Sequence, residues 1–130
     1  MSGPRGEDPL ATIERLRGAI NAHDVDAVVD CFRLAYRSEQ PVHPGRAFTG
    51  REQVRSNWTQ ILREVPDLEA TLVNHVVEGE TVWAEWAWQG TAARGAPFGM
   101  AGVTVQGVVD GRIAWARLYM EPVAPEEGTP

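Results

Sequence analysis

The chain has 130 residues, of which 43% are hydrophobic and 23% are charged, a composition typical of one soluble globular domain. Its formal net charge of -6 argues against a general affinity for nucleic acid or an anionic membrane, and the absence of lysine excludes Schiff-base catalysis. Cys31 is the single cysteine and permits no intrachain disulfide. Because no signal-peptide pattern opens the sequence, we expect a cytoplasmic protein.

Two helices are predicted near the amino terminus, after a disordered tail of residues 1–7. Asp8 followed by Pro9 is typical of a helix start, and an apolar stripe follows at helical spacing. Asp24 is a second N-cap. The second helix is expected to carry apolar residues as far as Ala35.

A third helix is predicted after a short strand near residues 36–40. Thr49 and Glu52 have the spacing of a capping box, in which each of the two side chains bonds the backbone N–H of the other residue. Pro66 cannot continue a helix and therefore marks its end.

The second half of the chain has the two-residue period of β-strands, and turn residues divide it into four segments. Helices first and an antiparallel meander afterwards predict an α+β domain over residues 8–121, followed by a flexible tail of residues 122–130. The four strands are predicted near residues 68–77, 81–91, 98–109 and 112–121.

Three segments of the sequence resemble the nuclear transport factor 2-like superfamily. They are N-A-H-D-V-D-A-V-V-D-C-F at 21–32, F-T-G-R-E-Q-V at 48–54 and D-G-R-I-A-W-A-R-L-Y-M-E at 110–121. The chain is similar to the SnoaL-like branch, which includes polyketide cyclases, ketosteroid isomerase-like proteins and limonene epoxide hydrolase-like proteins. The resemblance implies a cone-shaped, curved antiparallel sheet that wraps around three N-terminal helices and encloses a pocket. It specifies a fold rather than a reaction, because one fold hosts many activities.

The resemblance also implies which face of the sheet lines the pocket. Trp86 and Trp88 alternate with Trp83 and Glu85 along one strand, so the two pairs lie on opposite faces. In the related proteins the face of Trp86 and Trp88 is the pocket side. The candidate ligand-binding residues are Tyr36, Ser38, Trp58, Asn74, Trp86, Trp88, Met100, Gln106, Leu118 and Met120.

The opposite face of the sheet collects aromatic side chains that a solvated surface would not carry. Sheet-to-sheet homodimers are common in the superfamily that the sequence resembles, so we expect a homodimer through this face. A register shifted by one residue would invert the two faces and bring Glu85 into the pocket as an acid or base. The candidate interface residues are His75, Trp83, Glu85, Trp115, Arg117 and Tyr119.

The catalytic groups of the related isomerases are replaced at the matching positions. The carboxylate that ketosteroid isomerase-like enzymes carry before a proline matches Gln40, whose amide cannot shuttle a proton. Their protonated strand carboxyl matches Thr104, which still donates a hydrogen bond. Glu39 and His43 are the remaining local acid and base candidates. The candidate catalytic residues are therefore Glu39, Gln40, His43 and Thr104.

The water-activating Asp-Arg-Asp set of limonene epoxide hydrolase-like enzymes matches Trp86, Trp88 and Leu118, none of which ionises. The sequence therefore predicts a tryptophan-lined pocket for a small apolar molecule, with no cofactor and no metal. An isomerase, cyclase or hydrolase of a polyketide-, terpenoid- or steroid-like substrate is one interpretation. A non-catalytic ligand-binding or accessory protein is the alternative, and recognition of a protein partner through the outer sheet face is a third.

Overall fold

The computed structural model describes residues 8–124. The predicted tail of residues 1–7 and most of the predicted tail of residues 122–130 lie outside the described residues. The helices are α1 (Pro9–Asn21), α2 (Val25–Asp30) and α3 (Arg51–Glu64). The strands are β1 (Phe32–Glu39), β2 (Phe48–Thr49), β3 (Glu69–Glu78), β4 (Thr81–Thr91), β5 (Pro97–Val109) and β6 (Arg112–Pro122).

The first two helices begin where the sequence predicts. A carboxylate oxygen of Asp8 accepts a hydrogen bond of 3.0 Å from the backbone N–H of Leu10, and Pro9 occupies the first turn, where it loses no helical bond. Asp24 caps α2 through a 3.1 Å bond from the backbone N–H of Ala27. Each carboxylate satisfies a donor that the helix itself leaves free.

The start of α3 and the end of α2 differ from the prediction. Gly50 is the N-cap of α3, with φ at 107° and no side-chain cap bond, so the predicted capping box of Thr49 and Glu52 does not form. The second helix ends at Asp30 rather than near Ala35. After Cys31 the chain forms β1 instead, which pairs in parallel with β6 and antiparallel with β2.

The six strands form one open sheet in the order β2-β1-β6-β5-β4-β3. Strands β3 to β6 make the predicted antiparallel meander, whereas β1 runs parallel to β6, so the sheet is mixed rather than purely antiparallel. The helices cover one face: α1 packs on β3 and α3 packs on β1. This arrangement confirms the α+β cone.

The core lies between the helices and the inner face of the sheet. Its fully buried side chains include Ile13, Ile20, Val28, Val82 and Ile113. Burial of each such side chain stabilises the fold by about 1.5 to 3 kcal/mol before entropy is subtracted. In the part of the chain that the structure describes, every helix is too short or too polar to cross a bilayer.

Two β-bulges change the predicted register of the sheet. In β3 the pairing shifts between Leu72 and Asn74, so Asn74 pairs with Glu85 while His75 pairs with Ala84. Because directly paired residues share a face, Asn74 lies on the outer face and His75 on the inner one, the reverse of the prediction. The second shift, in β6, leaves Ala114 unpaired and places Ile113 beside the cavity.

Candidate functional site

A cavity of about 310 Å³ lies between the inner face of the sheet, α1 and α3. Strands β1, β4, β5 and β6 form most of its wall, and the one-turn helix Pro44–Arg46 borders it between β1 and β2. At roughly 30 Å³ for each water molecule in the liquid, this volume is equivalent to about ten waters. It lies at the lower end of the range of ligand pockets, about 300 to 1,000 Å³.

One wall of the cavity is aromatic. The ring centroids of Trp58, on α3, and Trp88, on β4, are 5.3 Å apart, and those of Trp86 and Trp88 are 6.5 Å apart in an edge-to-face arrangement. The Trp86 ring is fixed because its Nε1–H donates a 2.9 Å hydrogen bond to the hydroxyl of Thr104. The Trp88 Nε1–H is buried and has no partner among the described residues. The wall therefore offers flat apolar surfaces to the cavity.

The facing wall is a polar strip on β1. Tyr36 and Ser38 on β1, and Gln40 directly after its end, line the cavity at every second residue, as the period of a strand requires. Tyr36 and Ser38 are buried, and Tyr36 packs edge-to-face against Phe32 and Phe48. Burial raises the pKa of Tyr36 to about 12, an effect partly opposed by the neighbouring Ser38 hydroxyl. The Tyr36 hydroxyl is therefore a neutral hydrogen-bond donor at physiological pH.

The amide side chains at the cavity present donors because their oxygen atoms are already occupied. The Gln40 Oε1 accepts a 3.2 Å bond from Arg46, and the Asn57 Oδ1 accepts a 2.8 Å bond from Gln53. Their NH₂ groups are left for other partners. Gln106 is the exception, because its Nε2 donates a 3.0 Å bond to the Val82 carbonyl and leaves its oxygen free. The cavity therefore offers amide N–H donors from Gln40 and Asn57, in addition to hydroxyls that can donate or accept.

Two of the four predicted catalytic residues lie away from the cavity wall. Glu39 projects on the outer face, where its carboxylate is 3.3 Å from the Arg117 guanidinium. The imidazole of His43 is 2.7 Å from the Glu121 carboxylate and does not line the cavity. Gln40 and Thr104 do line it. Among the described residues of the wall there is no carboxylate and no imidazole, so the wall holds no general base of the usual kind.

Nine of the ten predicted ligand-binding residues line the cavity, and their roles in binding stay predictions. Asn74 is the tenth; the bulge in β3 turns it to the outer face, where its side chain accepts a hydrogen bond from the backbone of His75. The inward placement of Trp86 and outward placement of Glu85 exclude the alternative register. The nine residues are Tyr36, Ser38, Trp58, Trp86, Trp88, Met100, Gln106, Leu118 and Met120.

Half of the wall residues are not among the candidates that the sequence predicts, and Phe98, Asn57 and Arg46 are three of them. Phe98 continues the alternation of Met100 on β5, and Asn57 borders the apolar stripe of α3, so both carry a periodic signal that could have found them. Arg46 lies in an irregular segment without any such period. Within residues 8–124, no three His, Cys, Asp or Glu side chains lie together in the manner of a metal site.

The outer face of the sheet is partly apolar and solvent-exposed. Trp83 is 51% exposed and its cross-strand neighbour Val76 is 60% exposed. Arg117 lies over the ring of Trp115, 5.1 Å from its centroid. Tyr119 is on the same face, at 40% exposure. Of the six predicted interface residues, His75 alone is displaced to the inner face; the expected homodimer stays a prediction.

Alkaline pH is expected to destabilise the protein through Tyr36. The unfolded chain ionises this hydroxyl near pH 10, so its stabilising contribution is complete below that pH and is lost as pH rises towards about 12. Burial also raises the pKa of Cys31, which acts in the same direction, so wild type must be compared with Tyr36→Phe. Between about pH 9 and about pH 11.5, the unfolding free energy measured in urea should fall by about 2 kcal/mol more in wild type than in the variant. Equal losses of unfolding free energy would show that ionisation of Tyr36 does not cause the destabilisation.

Comparison with known proteins places this geometry in a family. The model of the SnoaL-like domain matches residues 13–116. Among curated proteins no match is found. IdmH from Streptomyces antibioticus, described as a candidate polyketide cyclase, has 23% identity and a TM-score of 0.75, with 89% of this chain and 92% of that chain covered.

Two further solved structures share the fold. A loop-truncation variant of IdmH has 25% identity and a TM-score of 0.72, with 88% of this chain and 92% of that chain covered. A Bacillus subtilis protein described as a candidate isomerase has 19% identity and a TM-score of 0.76, with 87% and 86% covered. Because the domain match spans most of its length, the chain belongs to the SnoaL-like domain family.

Proposed function

We propose that the protein binds a small ring compound, largely apolar and bearing carbonyl oxygens, of the polyketide, terpenoid or steroid class. The observation that carries the proposal is the pairing of an aromatic wall with a facing strip of hydrogen-bond donors in one cavity. Trp58, Trp86 and Trp88 offer flat surfaces on which rings stack. Tyr36 and Ser38 offer buried hydroxyls to an acceptor oxygen.

Specificity in this proposal comes from the buried hydroxyl donors. A ligand oxygen that accepts from the Tyr36 hydroxyl gains a hydrogen bond worth about 0.5 to 1.5 kcal/mol. A hydrocarbon of the same shape makes no such bond, so the cavity selects oxygenated rings.

A cyclase is the second candidate function, favoured by the protonated Tyr36 deep in the cavity. A neutral hydroxyl beside Ser38 stabilises negative charge that develops on a carbonyl oxygen as it becomes an enolate. The enclosing wall holds a flexible chain in a folded conformation, which favours ring closure by proximity. IdmH is described as a candidate polyketide cyclase and has a similar fold. In this mechanism the substrate proton passes to water, since the described wall supplies no base.

Matched naphthalene probes test the binding proposal. Tryptophan fluorescence and calorimetry should show that wild type binds 2-acetylnaphthalene, and that Tyr36→Phe weakens this binding about 3- to 10-fold, the value of one neutral hydrogen bond. The affinity for 2-ethylnaphthalene, which lacks the oxygen, should not change in the variant.

Two outcomes would contradict parts of the proposal. Absence of binding by both probes would argue against an apolar ring ligand, and equal weakening for both probes would assign Tyr36 a packing role only.

Turnover is tested separately with a poly-β-ketone thioester followed by mass spectrometry. Faster or redirected ring closure relative to buffer supports the cyclase, and an unchanged product distribution supports binding without turnover.

We also propose that the protein forms a homodimer through the outer face of the sheet. The support is the exposed apolar area of Trp83, Val76 and Tyr119 on this face. Recognition of a different protein through the same face is the competing proposal.

A further inference from the structure

Arg46 is the one charged side chain on the described wall of the cavity. It ends the one-turn helix Pro44–Arg46, which the backbone secures through a 2.9 Å bond from the Arg46 N–H to the His43 carbonyl. The contact between His43 and Glu121 ties the same loop to β6. The residue is exposed, so its guanidinium borders the cavity where solvent enters.

A neutral amide holds this guanidinium in place. Nη1 of Arg46 donates a 3.2 Å bond to Oε1 of Gln40, and within residues 8–124 no carboxylate lies within 4.0 Å of it. A guanidinium has five N–H donors, so most remain for another partner. The same bond directs the Gln40 NH₂ group away from Arg46 as an additional donor. The pair therefore presents positive charge and donors without a compensating negative group.

We propose that the ligand is an acid, whose carboxylate binds Arg46 and Gln40 at the entrance while its rings occupy the cavity. This inference rests on the proposed binding function and adds the charged group of the ligand. A planar guanidinium matches a carboxylate through two parallel hydrogen bonds. On one side the pair is bordered by the apolar cavity, which lowers the local dielectric and strengthens the contact relative to a fully solvated ion pair. The remaining polar groups of the ligand meet Tyr36 and Ser38 inside.

Calorimetry with two probes of equal ring size tests the charge. At low salt, wild type should bind 2-naphthoate about 10-fold more tightly than 2-acetylnaphthalene, and 0.5 M NaCl should reduce this ratio through screening. In Arg46→Gln the acid-to-ketone ratio should fall to about one. Arg63→Gln is the matched control, because this substitution removes the same charge from an exposed position on α3 that does not line the cavity. It should keep the wild-type ratio.

Gln40→Glu provides an independent variant. A carboxylate at this position would accept from Arg46 and neutralise it, so the acid should bind no more tightly than the ketone. If wild type binds ketone and acid equally, or if Arg46→Gln keeps the preference for the acid, the carboxylate inference is wrong while the binding proposal stands. If neither probe binds, the binding proposal and this inference both fail.

Discussion

Replacing Gly102 with alanine should lower the unfolding free energy by about 3 to 5 kcal/mol, a loss large enough to reveal a specific steric cause. Gly102 has φ at +152°, a conformation that side-chain-bearing residues rarely adopt. An added Cβ would overlap the Tyr119 carbonyl oxygen and lie 2.9 Å from the Met120 Cα. Both contacts are with the backbone of β6, which cannot move aside without breaking the ladder between β5 and β6.

Gly18→Ala is the matched control for this experiment. Gly18 lies within α1, and a Cβ built there meets nothing within 4 Å. The same chemical change should therefore stabilise the protein by about 0.5 to 1 kcal/mol, because alanine favours a helix over glycine. Urea unfolding of both variants at neutral pH measures the two effects. If Gly102→Ala loses less than about 1 kcal/mol, the two strands can separate locally and the close approach is not a structural requirement.

The close approach at Gly102 also links the fold to the cavity. Gly102 pairs with Trp86 on one side and with Met120 on the other, and both of these side chains line the cavity. The missing Cβ lets β6 approach β5 closely between these two cavity-lining side chains. Glycine inside a strand commonly marks such a bend or close contact. The glycine in β5 thus helps to set the distance between two strands of the cavity wall.

The elements with strong local signals could be predicted from the sequence. Asp8 and Asp24 cap their helices as expected, because a carboxylate next to free N–H groups is a local interaction. The two-residue period also predicts the bounds of the four long strands to within one residue. The start of β1 was assigned to α2 instead, since Phe32 and Ala35 continue a helical spacing. Pairing with β6, a segment 80 residues later, decides this region, and no local window contains that information.

The residues of the site also divide into those that a local signal predicts and those that it does not. Residues on regular strands, such as Trp86 and Met100, lie where alternation places them. Asn74 does not, because a bulge inserts one residue and reverses every later side chain of β3, and bulges leave no periodic signal. Glu39 follows the strand period to the outer face, away from the chemistry proposed for it. Arg46 was missed because its position depends on how the loop folds back over the cavity.

Replacing Trp83 with arginine should convert the proposed homodimer to monomers. Trp83 is 51% exposed in one chain and lies between Val76 and Val105 across the strands, so it is a large apolar surface on the outer face. Tryptophan residues in such positions commonly contribute about 2 to 4 kcal/mol to an interface. A two-fold interface contains the substitution twice, so the dimer dissociation constant should rise about a thousandfold or more.

Sedimentation and light scattering at tens of micromolar protein measure this effect directly. Wild type should have twice the mass of one chain, and Trp83→Arg should have the mass of one chain with an unchanged circular dichroism spectrum. Ala11→Arg is the control: it adds the same charge on the exposed surface of α1, in the helix layer on the opposite side of the sheet, and should remain dimeric. A monomeric wild type would contradict the homodimer and leave the outer face available to a different protein. A dimeric Trp83→Arg would place the interface elsewhere, because burying two unpaired guanidinium groups at its centre would cost several kcal/mol each.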